Sequence, residues 1–262
     1  MQTKNGFTLL NVSEFINWLN VQNVTRSITR IQVHHTWSPD YSNWNKKPDA
    51  FHWQSSMKSS HLSRNFSDIA QHFTILPDGS VITGRSLNKA PAGITGANTG
   101  AICIENLGNF DTDGDIMNEE QACSIVIVIG ELLKRFNLAV DNITYHAWWA
   151  GDGTFLGDYD KNKSAKTCPG TAFFGGNTKS AFEKNLKVRI HSYLGREELT
   201  MSQYEEIMKK LAQHDEIINL VGQDIQTVNK RVDGVESENV RQNEILNLVG
   251  QDIQNLNEKV GI

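Results

Sequence analysis

The sequence predicts an α/β fold, a mixed central β-sheet flanked by helices, followed by a C-terminal α-helical coiled coil. Three observations support this. Several short segments alternate apolar and polar residues with period two, one longer segment has a helical period, and heptad spacing runs through the last quarter of the chain. Because 39% of the residues are hydrophobic and 21% are charged, the chain has the composition of a folded protein rather than a disordered one.

Four segments predict strands. RIQVHHTW from Arg30 alternates with period two, and AICIENLG from Ala101 and NITYHAWW from Asn142 are short apolar runs. HFTILPDGSVITGR from His72 has two apolar runs around the turn sequence PDGS. It therefore predicts a hairpin in which Gly79 supplies the positive φ.

Two segments predict helices between these strands. NVSEFINWLN is a short amphipathic run that Asn11 or Ser13 is placed to cap. NEEQACSIVIVIGELLKRF begins with Asn118 and Gln121 in capping-box spacing, continues with a helical apolar period and ends in a basic pair. Strands that alternate with helices in this way indicate an α/β domain.

The chain divides into two parts of different composition. Residues 196–262 carry a net charge of −6 and contain no Trp or Pro, whereas residues 1–195 carry +1 and hold all six Trp. We therefore expect a catalytic or binding domain over 1–195 and a separate tail over 196–262.

The tail predicts a coiled coil. One unbroken 3-4 spacing runs from Tyr204 to Val260, and 14 of its 17 positions are apolar. IINLVGQDIQ from Ile217 recurs as ILNLVGQDIQ from Ile245, a 28-residue repeat of four heptads that preserves the spacing. We expect a homo-oligomer, a dimer or a trimer, formed through residues 200–262. Two alternatives stay open: a helical hairpin that turns at Asp233-Gly234, and one long helix packed on its own domain.

Charge, hydropathy and cysteine content exclude several classes of protein. The net charge of −5 argues against a nucleic-acid partner, and the chain lacks an apolar run of the roughly 18 residues needed for membrane insertion. MQTKNGFTLLNVSEF lacks the pattern of a signal peptide, so we expect synthesis in the cytoplasm without one. Three cysteines are too few for a disulfide framework and favour a reducing compartment.

Three residues of metal-ligand type lie near predicted strand or loop ends: His34, His146 and Cys168. A catalytic zinc takes three protein ligands and keeps one position for water, and imidazole with thiolate suits it. The spacing does not form a short ligand motif, so taken singly each histidine is better explained as a hydrogen-bonded core or surface residue.

Five motifs decide between these interpretations, in the order VHHT from Val33, QHFTILPDGSVITGR from Gln71, AICIENLG from Ala101, TYHAWW from Thr144 and KTCPG from Lys166. In this order they resemble the zinc-dependent N-acetylmuramoyl-L-alanine amidases, the type shared by phage endolysins and peptidoglycan recognition proteins. The resemblance covers about residues 28–194. It implies the amidase/peptidoglycan-recognition fold for the catalytic domain.

Carried over position by position, the resemblance makes His34, His146 and Cys168 the ligands of one Zn²⁺. Glu105 matches an acidic residue that takes a proton from the attacking water and passes it to the leaving amine. Lys166 matches a residue that stabilises charge developing on the carbonyl oxygen.

Other residues near these motifs are candidates for substrate binding. Gln71 stands where many relatives have Tyr, and it can donate a hydrogen bond without the acidity of a phenol. Trp37, Trp44 and Trp148 lie next to the proposed ligands, where aromatic faces either stack on glycan rings or cap a small core. Strand alternation places His35 on the face opposite His34, where it packs or hydrogen-bonds beneath the sheet.

The resemblance implies a peptidoglycan hydrolase that cuts the amide bond between N-acetylmuramic acid and L-alanine. The long acidic tail favours a phage or prophage endolysin that reaches the cell wall after holin-type release, and a cytosolic amidase that recycles wall fragments is the alternative setting. Two further hypotheses are a non-catalytic peptidoglycan-binding protein and a cysteine hydrolase with Cys168 as nucleophile and His146 as base.

Overall fold

The structure is a computed structural model that describes residues 1–195 and 201–260. The chain forms two compact units, Met1–Arg196 and Glu197–Ile262. The first unit holds a β-sheet with its helices, and the described part of the second is one helix. The start of the predicted tail at residue 196 and its last two residues lie outside the described residues.

The strands of the first unit within the described residues are β1 (Gln2–Lys4), β2 (Phe7–Leu10), β3 (Arg30–His35), β4 (Phe73–Ile75), β5 (Val81–Thr83), β6 (Ala101–Asn106) and β7 (Ile143–Tyr145). They form one sheet in the order β1-β2-β5-β4-β6-β3-β7. β4, β6, β3 and β7 pair in parallel, and the β4–β5, β5–β2 and β2–β1 pairs are antiparallel. The predicted mixed central sheet is confirmed.

The α-helices are α1 (Val12–Asn20), α2 (Tyr41–Lys46), α3 (Ala50–Ser63), α4 (Glu119–Phe136), α5 (Lys179–Lys184), α6 (Leu186–Gly195) and α7 (Met201–Val260). Short 3-10 turns occur at Val140–Asn142, His146–Trp148 and Phe173–Gly175. α1 and α6 both contact α4 over the main apolar core, while α3 contacts β2 and β5 beside a second, smaller core.

Local signals explain where these elements begin. The Asn11 side chain caps α1 in a capping box with Glu14. Asn118 caps α4 by accepting from the backbone N–H of Gln121, whose own side chain instead donates to carbonyls at the ends of β4 and β6. In the β4–β5 hairpin, Gly79 has φ +76, as the turn sequence predicts.

The two faces of the sheet differ in chemistry. Val33, Ile75 and Ile104 point into the main core beneath α1 and α4. Their neighbours along the strands point to the opposite face, and four of these, Gln32, His34, Thr74 and Glu105, are polar. Chemistry-bearing side chains are therefore gathered on one face of the parallel strands.

The tail helix α7 runs without interruption through Gly234, so the alternative of a helical hairpin at Asp233-Gly234 is wrong. The heptad spacing keeps its phase across that glycine, which explains why the helix continues. Over residues 1–195 and 201–260, no helix combines the length and the apolar character that crossing a bilayer requires.

Candidate metal centre and active site

The register of the parallel strands places the candidate site residues side by side. Thr74 on β4 lies beside Glu105 on β6, and Glu105 lies beside His34 on β3. Val33 pairs with Tyr145, the last residue of β7, so His146 follows at the level of His34. Thr74, Glu105, His34 and His146 thus form a row across four neighbouring strands.

Cys168 arrives from a loop that is tied to this row. Its carbonyl accepts a hydrogen bond from Ala147 N at 2.7 Å, directly after His146. The residue before it is held twice: the Thr167 carbonyl accepts from Asn177 Nδ2 at 2.7 Å, and Thr167 Oγ1 donates to Asp111 Oδ2 at 3.1 Å. These bonds fix the Cys168 backbone beside the end of β7.

His34, His146 and Cys168 converge as the sequence predicts. One ligand atom from each residue lies within 4.8 Å of the other two. Cys168 Sγ is 3.4 Å from His34 Nδ1, and the two imidazole ring centroids are 5.1 Å apart. Ligand atoms around a tetrahedral zinc stand about 3.3–3.8 Å apart, so the distance between Cys168 Sγ and His34 Nδ1 fits two ligands of one ion, and His146 lies close enough to complete the group.

Burial sets the protonation of the two histidines. It lowers the pKa of His34 well below its ordinary value, and the nearby charges of His146 and Lys166 act in the same direction. Burial, with Lys166, lowers the pKa of His146 to about 4. Both rings are therefore neutral at physiological pH, the form in which imidazole binds a metal.

Cys168 has the character of a metal ligand rather than a free nucleophile. Its side chain is only 5% exposed, and Sγ accepts a hydrogen bond from His35 N at 3.4 Å. Burial and the nearby Glu105 raise the pKa of the thiol well above its ordinary value. A positive ion between the three ligand atoms would favour the thiolate, as metal ligation requires.

Glu105 faces this cluster with a shielded carboxylate oxygen. Oε2 is buried and has no hydrogen-bond partner among the described residues. Burial raises the pKa of Glu105 to about 8, against the opposing charges of Lys166 and Arg64. A carboxyl group whose pKa lies near neutrality is suited to accept and return a proton.

Two exposed cations, Lys166 and Arg64, change the pKa values of the site residues through their charge. Lys166 was expected from the sequence, and its charge lowers the pKa of His34, His146 and Glu105. Arg64 was not expected. It lies at the C-terminal cap of α3, and only the fold brings it near Glu105.

His35 lies on the other face of β3, as strand alternation predicts. Its Nδ1 accepts a hydrogen bond from Phe110 N at 3.1 Å, and its ring packs tilted against the Phe110 ring. The second histidine of VHHT therefore braces the loop after β6 and takes no part in the ligand cluster.

Three of the expected substrate contacts do not fit the structure. Trp148 is 1% exposed and its Nε1 donates to the Asn177 carbonyl, and Trp44 is buried in the smaller core. Gln71 is fully buried, with Nε2 donating to Thr74 Oγ1 at 3.0 Å. Trp37, in contrast, is 62% exposed and remains a candidate platform for substrate.

Comparison with known proteins agrees with the family that the five motifs suggested. The Amidase_2 family model, described as N-acetylmuramoyl-L-alanine amidase, matches residues 24–171, which is more than half of the chain. This chain belongs to the N-acetylmuramoyl-L-alanine amidase family. No curated protein matches the sequence.

Several solved structures are similar to the first unit. The N-acetylmuramoyl-L-alanine amidase LysC from Clostridium intestinale is 22% identical, with 67% of this chain and 87% of that chain covered, at a TM-score of 0.44. Drosophila PGRP-LB is 19% identical, with coverage of 68% and 89%, at 0.45. Bumblebee PGRP-SA is 20% identical, with coverage of 66% and 92%, at 0.45.

Proposed function

We propose that residues 1–195 form a zinc-dependent amidase that hydrolyses the bond between N-acetylmuramic acid and the L-alanine of the peptidoglycan stem peptide. The observation that carries the proposal is the convergence of His34, His146 and Cys168 beside Glu105. Two neutral imidazoles and one thiol form a donor set that suits zinc, with no carboxylate among them.

In the proposed reaction His34, His146 and Cys168 would hold the zinc, and the chemistry it would supply is Lewis acidity toward the attacking water and the substrate carbonyl. Glu105 takes one proton from the attacking water as its oxygen bonds to the carbonyl carbon. The same carboxyl group gives that proton to the alanine nitrogen as the C–N bond breaks. Lys166 stabilises the negative charge that develops on the carbonyl oxygen. The products are the lactyl carboxylic acid and a free amino terminus.

The test is the release of new L-alanine amino termini from purified peptidoglycan. We expect Glu105→Gln to lower kcat by about 10²–10⁴-fold, because an amide cannot carry the proton. It should still bind zinc, since Glu105 is not among the proposed ligands. Glu120→Gln, an exposed carboxylate on α4, is the matched control and should leave activity unchanged. Full activity in Glu105→Gln would contradict the proposed role.

The cysteine-hydrolase hypothesis is disfavoured by the position of Cys168. The Cys168 side chain is only 5% exposed, and burial with the nearby Glu105 raises the pKa of its thiol, which disfavours the thiolate that attacks a carbonyl. Chelation separates the two mechanisms, because only a metal enzyme should lose activity with EDTA and recover with zinc. A chain that binds zinc and peptidoglycan without releasing amino termini would be the non-catalytic binder.

For the biological setting we propose a phage or prophage endolysin that reaches the wall after holin-type release. The tail would join two or three copies of the chain through residues 200–262. Several catalytic domains on one assembly hold an insoluble polymer through avidity, an advantage that small soluble wall fragments do not offer to a recycling enzyme.

A further inference from the structure

We propose that Gln32 is a positioning residue for His34, because its unpaired amide oxygen is the acceptor available to His34 Nε2–H. This pairing holds the imidazole in the tautomer whose Nδ1 lone pair faces Cys168. The inference rests on the proposed zinc site and names a residue that supports it from within the sheet.

Gln32 is a polar residue in an interior position. It lies two residues before His34 on β3, so the two side chains share a face, and it is fully buried. Its Nε2 donates to the Ala97 carbonyl at 2.9 Å. That bond orients the amide and leaves the oxygen as the free end.

The free oxygen and the His34 ring share one small space. Gln32 Oε1 and His34 Nε2 are both buried, and neither has a hydrogen-bond partner among the described residues. A Cβ built on Gly93 would stand 2.3 Å from Gln32 Oε1, 3.0 Å from His34 Nε2 and 3.1 Å from Cys103 Sγ. The amide oxygen and the ring nitrogen therefore face the same opening beside the Cys103 thiol, a weaker donor than an imidazole N–H. The opening exists because residue 93 has no side chain.

Pairing these two atoms fixes the state of the other ring nitrogen. Leaving a buried donor or acceptor unpaired is unfavourable, so the ring gains by placing its proton on Nε2. Nδ1, 3.4 Å from Cys168 Sγ, then carries the lone pair that a metal needs. An acceptor on the outer nitrogen of a ligand histidine is a common means of orienting the ring.

The test compares Gln32→Met with Gln121→Met in the full chain. Both replace a fully buried glutamine that donates to backbone carbonyls, but Gln121 lies on α4, away from His34. Zinc affinity is measured by competition with a chromophoric chelator. We expect a 10- to 100-fold weaker Kd in Gln32→Met and less than a threefold change in Gln121→Met.

A spectroscopic readout separates positioning from general loss of stability. Long-range ¹H–¹⁵N NMR of the zinc-free chain should show His34 protonated on Nε2 in the wild type, and a mixture of tautomers in Gln32→Met. Unchanged zinc affinity, or equal losses in the two variants, would overturn the proposal. If the wild type bound no zinc, the proposed function would fail, and the wild-type tautomer would still decide whether the pairing exists.

A second, independent inference concerns the tail. We infer that the apolar stripe of α7 is covered by a second copy of the chain, parallel and in register. This deepens the proposed self-association by naming its direction and alignment. The heptad seam is the 3-4 spaced set of positions that runs along α7. Eight of its apolar side chains are about half exposed or more: Ile218, Val221, Ile225, Val228, Val232, Val235, Leu246 and Val249.

Positions beside the seam favour the parallel alignment. In a parallel, in-register pair, the residue before each a position faces the residue five places further along in the partner helix. Ile217 then faces Gly222 and Ile245 faces Gly250, each a bulky side chain against a small one. Arg231 faces Glu236, which is a complementary charge pair, and this alignment brings no like charges together over residues 217–250.

The 28-residue repeat allows one competing alignment, a slip of four heptads. Asn239 lies on the seam between the two copies of the repeat. In register, it faces Asn239 of the second copy, and the two amides pair. After the slip, it would face position 211, a leucine in the sequence, and its amide would be buried without a partner.

Cysteine cross-linking of the full chain tests the alignment. In a Cys123→Ser background, which removes the exposed cysteine, Val232→Cys should form a disulfide-linked dimer within minutes of mild oxidation. Gln223→Cys, on the outer face of the helix, is the control and should stay monomeric on a denaturing gel. Val232→Cys combined with Asn239→Leu should lose at least half of the cross-link to slipped species.

Each outcome bears on a separate claim. An oligomer by light scattering that fails to cross-link at Val232→Cys, or that cross-links equally at Gln223→Cys, would overturn the parallel alignment. Undiminished cross-linking in the Asn239→Leu variant would overturn its role in register. A monomeric full chain would overturn the proposed self-association itself.

Discussion

At the scale of single residues, buried histidines stabilise the first unit as neutral hydrogen-bonding groups. His72 is the example outside the ligand cluster. Its Nδ1 accepts from Cys103 N at 2.9 Å, and its Nε2 donates to the Lys89 carbonyl at 2.9 Å. Burial lowers its pKa to about 3. A proton on Nδ1 would remove the acceptor for the Cys103 N–H.

The stability of the domain should therefore fall in acid. The folded-state pKa of His72 is below its unfolded value of 6.5, so the unfolded state takes up a proton first as the pH falls. The stabilisation is complete above about pH 6.5 and is lost between that pH and about 3, by up to about 1.4 kcal/mol per pH unit. Urea unfolding at pH 7 and pH 5 should show a smaller loss for His72→Gln than for the wild type. The control is His191→Gln, which replaces an exposed histidine and should lose as much unfolding free energy as the wild type. If His72→Gln also lost as much unfolding free energy between pH 7 and pH 5 as the wild type, this role of His72 would be contradicted.

Sequence reasoning grouped the three proposed ligands but did not predict their surroundings. His34, His146 and Cys168 lie far apart along the chain, so only the resemblance of ordered motifs, not their spacing, could group them. Trp148 could not be assigned to substrate or to core, because adjacency to a proposed ligand in sequence says nothing about burial, and the structure places it in the core. The position of Gln32 beside His34 could have been predicted, since alternation along RIQVHH puts both side chains on the same face of the strand. Arg64 offered no such signal.

At the scale of elements, the sequence predicted what carries a local signal. The capping residues of α1 and α4, and the PDGS turn of the β4–β5 hairpin, locate those elements. α3 escaped prediction because its buried positions mix Ala50, Phe51, Gln54 and Met57, and no apolar stripe results. β1 and β2 escaped because β1 is exposed along its whole length and β2 is only four residues long.

Helix packing supplies a prediction at this scale. Gly130 is buried in α4, and a Cβ there would stand 2.4 Å from Cδ1 of Tyr193 on α6. The Tyr193 hydroxyl donates to Glu131 Oε1 at 2.5 Å, which restrains the ring. Gly130→Ala gains about 1 kcal/mol of helix propensity but incurs about 1–3 kcal/mol of overpacking, so we expect lower stability.

Thermal unfolding measures the effect of Gly130→Ala. The control is the same substitution in a Tyr193→Leu background, where the ring is gone and the alanine should be neutral or stabilising. Equal destabilisation in both backgrounds would show that the Tyr193 ring is not what keeps residue 130 a glycine.

At the scale of the whole molecule, the chain combines an amidase-family unit with a long helix of a different composition. The parallel strands gather a polar row on one face, and the apolar residues of the other face anchor it to the core. The parallel strands of this unit could be predicted because their motifs and apolar pattern are local, whereas several of its helices and the two N-terminal strands could not. The partner of α7 could not, since its apolar stripe fits more than one arrangement.

The measurement that tests the central claim most directly is zinc content together with peptidoglycan cleavage, for the wild type, Cys168→Ala and Cys103→Ala. Both cysteines are buried in the first unit, but only Cys168 belongs to the ligand cluster. We expect one zinc per chain and new L-alanine amino termini from the wild type and Cys103→Ala, with both lost in Cys168→Ala. Cleavage by Cys168→Ala at the wild-type rate, or zinc retained in it with unchanged affinity, would contradict the claim.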